Sequence, residues 1–296
     1  MKRGTLSLLS VPCLLAGSLL AQTPTIGGGT CNSASLNGIY SLSLTGRQVA
    51  TASTPPAAAT YTNVFQSNGS ATFDGLSKVT VSLTANTIQA VAGPLTWSGT
   101  YSVQANCAGV MNITTGGSAT LNLALYDSGT DFLVSGSDAS YTYSGTAITQ
   151  PTGCSVSTLS GVYTLTGTGF ALAASAVDGA ENGAGLLQFD GISHLTVNIT
   201  MSTAGAASNA LTLTGTYALS SGCLGSATLT DASGSAYVMS FSIYNSTVSH
   251  AAFYAMLAQA SKFLIAGGGH AIFGQPAASA ALRLDMPSSG AKNRGK

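Results

Sequence analysis

Few side chains in this sequence could do chemistry. Three histidines, His194, His250 and His270, are its only imidazoles. None has a fixed-spacing partner of the kind a metal site uses. The Gly-x-Ser-x-Gly elbow of an α/β-type hydrolase is absent. Asp74 and Asp190 each precede a glycine between two alternating runs, where Asp-Gly makes a hairpin turn and the carboxylate bonds its own backbone. Asp178 and Glu181 stand among glycines in DGAENGAG, which reads as a loop, but without the regular oxygen spacing of a calcium loop. No metal or cofactor is implied. The remaining candidates are the aromatic residues Tyr40, Trp97, Tyr101, Tyr163 and Tyr217. Pointing inward, they would line an apolar cavity whose hydroxyls orient a small ligand. Packed on one another, they would plug the ends of a small barrel.

The elements that place these residues are repeated. CNSASLNGIYSLSLTG from Cys31 matches CSVSTLSGVYTLTGTG from Cys154. FDGLSKVTV from Phe73 matches FDGISHLTV from Phe189, and SGTYSVQANCAG matches TGTYALSSGCLG. SATLNLALYD pairs with SAYVMSFSIYN, and FLVSG from Phe132 with FLIAG from Phe263. The same order in both halves defines two homologous domains, expected over 31–150 and 154–276. Between Tyr244 and Phe263 the second copy reads as carrying an insertion, over 246–262, and HAAFYAMLAQAS within it favours a short helix or lid.

Within the blocks the period is two. Val79, Val81 and Leu83 alternate with Thr80 and Ser82, and Leu195, Val197 and Ile199 with Thr196 and Asn198. One face of each run meets a core and the other meets water. Turn signals between successive runs predict an all-β chain of two antiparallel domains, each an up-and-down barrel of seven or eight strands or so. Closure removes the free edges of so hydroxyl-rich a sheet. A two-sheet sandwich is the alternative.

Four cysteines lie past the N-terminal stretch, and the repeat selects one pairing, Cys31 with Cys107 and Cys154 with Cys223. Each domain then closes its own loop, a gain of about 4 kcal/mol in chain-entropy terms. Disulfides point to an oxidising compartment. So does the N-terminus. Lys2 and Arg3 precede an apolar run from Leu6 to Leu20, which reads as a signal peptide over 1–21. The last residues, 277–296, read as a loose basic tail.

Charge excludes one class of partner. From Gln22 to Gly290 there are four basic and nine acidic residues, a net −5, and the basic ones are scattered. Nucleic-acid binding needs clustered Lys and Arg to neutralise phosphates. With 45% apolar residues the chain is not a disordered one, so Ser, Thr, Asn and Gly supply its polar face.

The pattern Gly-x-Tyr, Phe-Asp-Gly, Gly-Thr-Tyr and Cys-x-Gly resembles secreted bacterial repeat proteins of unknown role. It also resembles the lipocalin and allene oxide cyclase type of barrel. The resemblance implies a secreted barrel and carries over no site residue. Lipocalins place Trp two residues after the opening Gly, where this chain has Tyr40 and Tyr163. The expected role is a non-enzymatic secreted, periplasmic or cell-surface binding protein for a small apolar ligand or a surface or matrix component, with no stable membrane insertion once the signal is removed. A structural envelope protein and a cofactor-free isomerase or cyclase are the alternatives.

Overall fold

A computed structural model describes residues 30–48, 63–87, 91–126, 129–173, 176–203, 206–245, 251–259 and 262–272. The expected signal peptide and basic tail lie outside the described residues. The first eight strands are β1 (Asn37–Gln48), β2 (Val64–Asp74), β3 (Lys78–Thr87), β4 (Val91–Val103), β5 (Ala108–Thr115), β6 (Ala119–Tyr126), β7 (Asp131–Asp138) and β8 (Tyr141–Thr149). Each pairs antiparallel with its neighbour, and β8 returns to β1 to close a barrel. The second barrel repeats the plan with β9 (Ser160–Ala173), β10 (Ala176–Asp190), β11 (His194–Thr203), β12 (Ala206–Leu219), β13 (Leu224–Thr230), β14 (Ala236–Asn245), β15 (Ala252–Gln259) and β16 (Phe263–Ala271), closed by β16 against β9. The fold is two tandem closed barrels, not sandwiches.

Alternation decides which face is inside. Along β3, Val79, Val81 and Leu83 are buried while Lys78 and Thr80 are exposed, and β11 repeats this with Leu195, Val197 and Ile199. The walls are thus polar outside and apolar inside. That is the reverse of a barrel that spans a bilayer, whose apolar band faces outward. Among the described residues no helix is long and apolar enough to cross a membrane.

Register corrects two expectations. Of the residues read as a helical insertion, Ala252–Gln259 form β15, a strand with Phe253 in the core, and 246–250 and 260–261 lie outside the described residues. Phe132 of β7 packs on Tyr40 and Phe73, while Phe253 of β15 packs on Tyr163 and Phe189. The counterpart of FLVSG is therefore the β15 segment. FLIAG from Phe263 begins β16, the counterpart of β8. Among the described residues the second copy carries no additional element. β15 lost its alternation because both its faces are covered. Ala255 and Leu257 face the core of their own barrel, while Met256 and Ala258 join Val64 of the first barrel in a separate apolar cluster. A short doubly buried strand has the apolar run of a buried helix.

The same cluster belongs to a contact between the barrels, which stand side by side. Ser41 Oγ donates to the Ile243 carbonyl (2.6 Å), Asn68 and Ser240 exchange two hydrogen bonds (2.7 and 2.8 Å), and Gln66 Nε2 donates to the Thr168 carbonyl (3.1 Å). Val64 then meets Leu172, Met256, Ala258 and Leu264, and the Arg47 guanidinium lies 5.7 Å from the Phe170 ring centroid. This order runs from the Tyr40 end to the opposite end of the first barrel. In the second it runs from the Phe253 end to the opposite end. The matching ends of the two barrels therefore face the same way.

Candidate functional site

One end of each barrel is closed by the same parts. Cys31 is bonded to Cys107 and Cys154 to Cys223, with Cα–Cα separations of 4.9 and 5.1 Å. Cys107 and Cys223 adopt φ of +63° and +59°, the left-handed region that favours glycine. Each sits at the close of a tight turn, where Cys107 N–H donates to the Gln104 carbonyl and Cys223 N–H to that of Ser220, both at 2.9 Å. A glycine is the usual occupant of such a turn position. The disulfide is what places a side chain there, bridging to the cysteine two residues before a short 3₁₀ turn, Ser33–Ser35 or Val156–Thr158.

The tyrosines are consumed in this closure. Tyr101 Oη lies 2.9 Å from the carbonyls of both Ser33 and Leu36, sharing its proton between them. Tyr217 does the same to Val156 and Leu159, at 3.0 and 3.2 Å. Burial pushes both phenols up to about 12. Tyr40 Oη donates to the Gly129 carbonyl at 2.9 Å. Tyr163, its counterpart, is buried with a hydroxyl that has no partner among the described residues. The rings form edge-to-face stacks, Phe73 on Tyr101 at 4.8 Å and Phe189 on Tyr217 at 4.9 Å between centroids.

Trp97 lies elsewhere. It stacks on Phe65 and meets Tyr143 edge-on, at 6.4 and 6.0 Å between centroids, at the opposite end of the first barrel. The five sequence candidates are thus four plug tyrosines, two per barrel, and one tryptophan at an opposite end.

That opposite end is where the barrels differ. Gly46 pairs with Phe65 and Tyr143 across its two neighbouring strands, and Gly169 pairs with Glu181 and Ile265. Phe65 of one barrel therefore corresponds to Glu181 of the other. Val81 pairs with Trp97 and Val197 with Leu213, which matches the tryptophan to a leucine. The DGAENGAG stretch that read as a loop is part of β10, and Glu181 within it points inward, 4% exposed. Burial raises its carboxyl above the ordinary range, opposed by the bond from Thr203 Oγ1 at 3.1 Å. Sequence reading missed this role, although the period of two continuing from Phe189 back through Leu187 and Gly183 would have found it.

Side chains pack inside both barrels among the described residues. The second barrel keeps a recess lined by Leu165, Gly167, Ala255, Leu257, Ile265 and Gly267, with room for about one water molecule. It exists because Leu44 and Val134 of the first barrel are replaced at matching registers by Gly167 and Ala255.

Outside, the Asp-Gly turns are rigid. Asp74 Oδ1 accepts from the N–H groups of Leu76, Ser77 and Lys78, and Asp190 Oδ1 from those of Ile192, Ser193 and His194, all at 2.8 to 2.9 Å. The bond from the Lys78 N–H is the foremost of those that lower the Asp74 carboxyl. At Asp190 burial opposes the shift, but the bonds from Ile192, His194 and Ser193 hold the carboxyl down at about 2. His194 Nδ1 sits 3.0 Å from Asp190 Oδ2 on an exposed surface. His270 is exposed on β16, and His250 lies outside the described residues. Among the described residues, no three His, Cys, Asp or Glu side chains gather as a metal site would require.

The chain matches no protein-family model and no curated protein. Among solved structures it is similar to the isotype 1 transferrin binding protein B from serogroup B Neisseria meningitidis. Identity is 7% over 82% of this chain and 77% of that one, with a TM-score of 0.23. A similarity that low carries nothing about role.

Proposed function

We propose that this chain is a non-enzymatic, exported binding protein that works through its outer surfaces rather than through its barrel interiors. The observation that carries the reading is the use of the inward hydroxyls. Tyr40, Tyr101 and Tyr217 donate to backbone carbonyls in the plugs. An isomerase or cyclase of barrel type needs such groups free at a cavity and poised near neutral pH. Here three of the four plug hydroxyls are committed, that of Tyr163 is buried without a partner among the described residues, and the phenols of Tyr101 and Tyr217 sit at about 12. A carrier of small apolar ligands needs a lumen of several hundred Å³ or so, whereas the recess of the second barrel admits about one water. Two disulfides support an oxidising, extracytoplasmic setting. Packing that joins the barrels side by side presents their outer walls and turns as one surface.

Two measurements test the reading. Native mass spectrometry of the mature protein, isolated without detergent from its own medium, is expected to give a bare mass, lowered from the reduced chain only by the hydrogens lost in two disulfides. A bound mass of a few hundred daltons or so, lost on denaturation, would make the interior the working site and overturn the proposal. The second is saturable binding of fluorescently labelled protein to the envelope fraction of the producing cell, which is expected. Binding that is absent or never saturates would also sink it.

A further inference from the structure

Turn chemistry accounts for Asp74 and Gly75, and for Asp190 and Gly191, but not for the residue that follows. Leu76 is 76% exposed and Ile192 is 73% exposed, each at the tip of a turn locked by three N–H bonds to one carboxylate oxygen. A lone exposed aliphatic is ordinary on a protein surface. The same exposed aliphatic at the same position of both copies is not scattered. The other large exposed apolar residues among the described ones are Leu133, next to the plug residue Phe132, and Ile272, whose N–H bonds the Val162 carbonyl beside Tyr163. All four belong to the disulfide ends, which face the same way.

We infer that the disulfide end is a docking face for a lipid bilayer, with Leu76 and Ile192 dipping into the boundary between headgroups and acyl chains. Three observations select this occupant. Two knobs on one end of a side-by-side pair meet a planar partner together, with no need for two pockets at a matched spacing. One knob is γ-branched and the other β-branched; a shaped protein pocket discriminates between them and a fluid apolar phase does not. Lys78 and His194, two residues beyond each knob, are exposed at headgroup level; Asp74 Oδ1 and Asp190 Oδ1 are turned back onto their own backbone, and Asp190 Oδ2 meets His194 Nδ1. The polar outer walls keep the barrels themselves out of the hydrocarbon, so the contact is peripheral and reversible.

The inference rests on the reading that the working surfaces are external, and it names one partner for them. Flotation of the mature protein with phosphatidylcholine vesicles, with and without phosphatidylglycerol, tests it. The wild type is expected to float, more so with the anionic lipid. L76S and I192S should each lower the partition coefficient about fivefold, and the double variant roughly twentyfold or more. Melting temperatures should stay at the wild-type value, because both side chains are exposed. Failure of the wild type to float overturns the inference, as does flotation that the double variant leaves unchanged. A wild-type dimer dispersed by the double variant, without vesicle binding, also overturns it by making a second copy the occupant. Saturable envelope binding that persists without vesicle binding removes only this inference and leaves the proposed function in place.

Discussion

The two ends of the barrels have diverged to different degrees. At the disulfide end the aromatic parts recur, Tyr40 and Tyr163, Phe73 and Phe189, Tyr101 and Tyr217, Phe132 and Phe253, with Phe241 in place of Leu123 the one exchange among them. At the opposite end Phe65, Trp97 and Tyr143 face Glu181, Leu213 and Ile265 at the same registers. The contrast follows from how each end is closed. A disulfide, a 3₁₀ turn and a tyrosine that bonds its carbonyls form a mutually dependent set, and changing one strands the others. The opposite end carries no disulfide among the described residues and is closed by side-chain packing and side-chain hydrogen bonds, such as those of Tyr143 to Asp138 and Thr203 to Glu181, where volume can be redistributed among neighbours.

The largest expected effect comes from breaking the part the copies share. Removing the Cys31–Cys107 or the Cys154–Cys223 bridge by paired alanine substitution should cost about 4 kcal/mol in each case. The sequence separations of 76 and 69 predict nearly equal losses, measured by urea unfolding. Because Cys107 holds a left-handed φ, Cys31→Ala with Cys107→Gly should recover about 1 kcal/mol of that loss relative to the double alanine. A glycine variant no better than the alanine one would show that the turn relaxes once the bridge is gone.

Imposing the second barrel's chemistry on the first should cost about as much. Phe65→Glu removes a buried ring stacked on Trp97 and leaves a carboxylate among aromatic rings, with an expected loss of about 4 kcal/mol. Thermal unfolding at neutral pH measures it. A loss below about 1 kcal/mol would mean that this end already admits water, and the contrast between the barrels would fail.

Much of this architecture was legible from the sequence, because the repeat and the period of two report directly on barrel geometry. The disulfide pairing followed from duplication alone. Alternation, however, separates inside from outside of a barrel and is blind to what lies beyond the outer wall. Ser41, Asn68 and Ser240 have the residue types of solvent-facing positions, yet all three are buried between the barrels. The same contact erased the alternation of β15 and made it read as a helix. Trp97 was grouped with the plug tyrosines because it lies close to Tyr101 in sequence, whereas a strand carries residues four apart to different depths of the barrel. The expected glycine-rich loop around Glu181 failed for a related reason. Glycines in a barrel wall mark places where a neighbouring backbone comes close, as at Gly185, where an added Cβ would lie 2.0 Å from the Asn198 carbonyl oxygen.

The contact between the barrels has its own test. Asn68→Ala removes both members of the reciprocal pair with Ser240 and leaves the Ser240 carbonyl buried, so a loss of about 2 kcal/mol is expected. If the barrels unfold in separate steps in the variant and in one step in the wild type, the pair is part of what couples them. An unchanged transition would show that the apolar cluster around Val64 suffices.

The smallest effect is the most specific to the difference between the ends. Glu181 is buried and its carboxyl is raised, so the folded protein favours the protonated form more than the unfolded chain does. A group raised in this way contributes stability that is fully present below the unfolded value, about 4.3, and is lost as pH rises through the higher folded value. Asp74 and Asp190 act in the opposite sense: their lowered carboxyls contribute stability above the ordinary carboxylate range that is lost as pH falls through their folded values. Glu181→Gln keeps the shape and an acceptor for Thr203 Oγ1 but removes the titration. It should therefore raise stability at pH 7 by about 1 kcal/mol, with the gain shrinking toward pH 4. The first barrel has Phe65 at this register, so its contribution has no equivalent pH dependence. A variant whose stability gain is the same at pH 4 and pH 7 would show that Glu181 titrates in the folded barrel as it does in the unfolded chain, and the second barrel's opposite end would then be a hydrated mouth in place of a closed one.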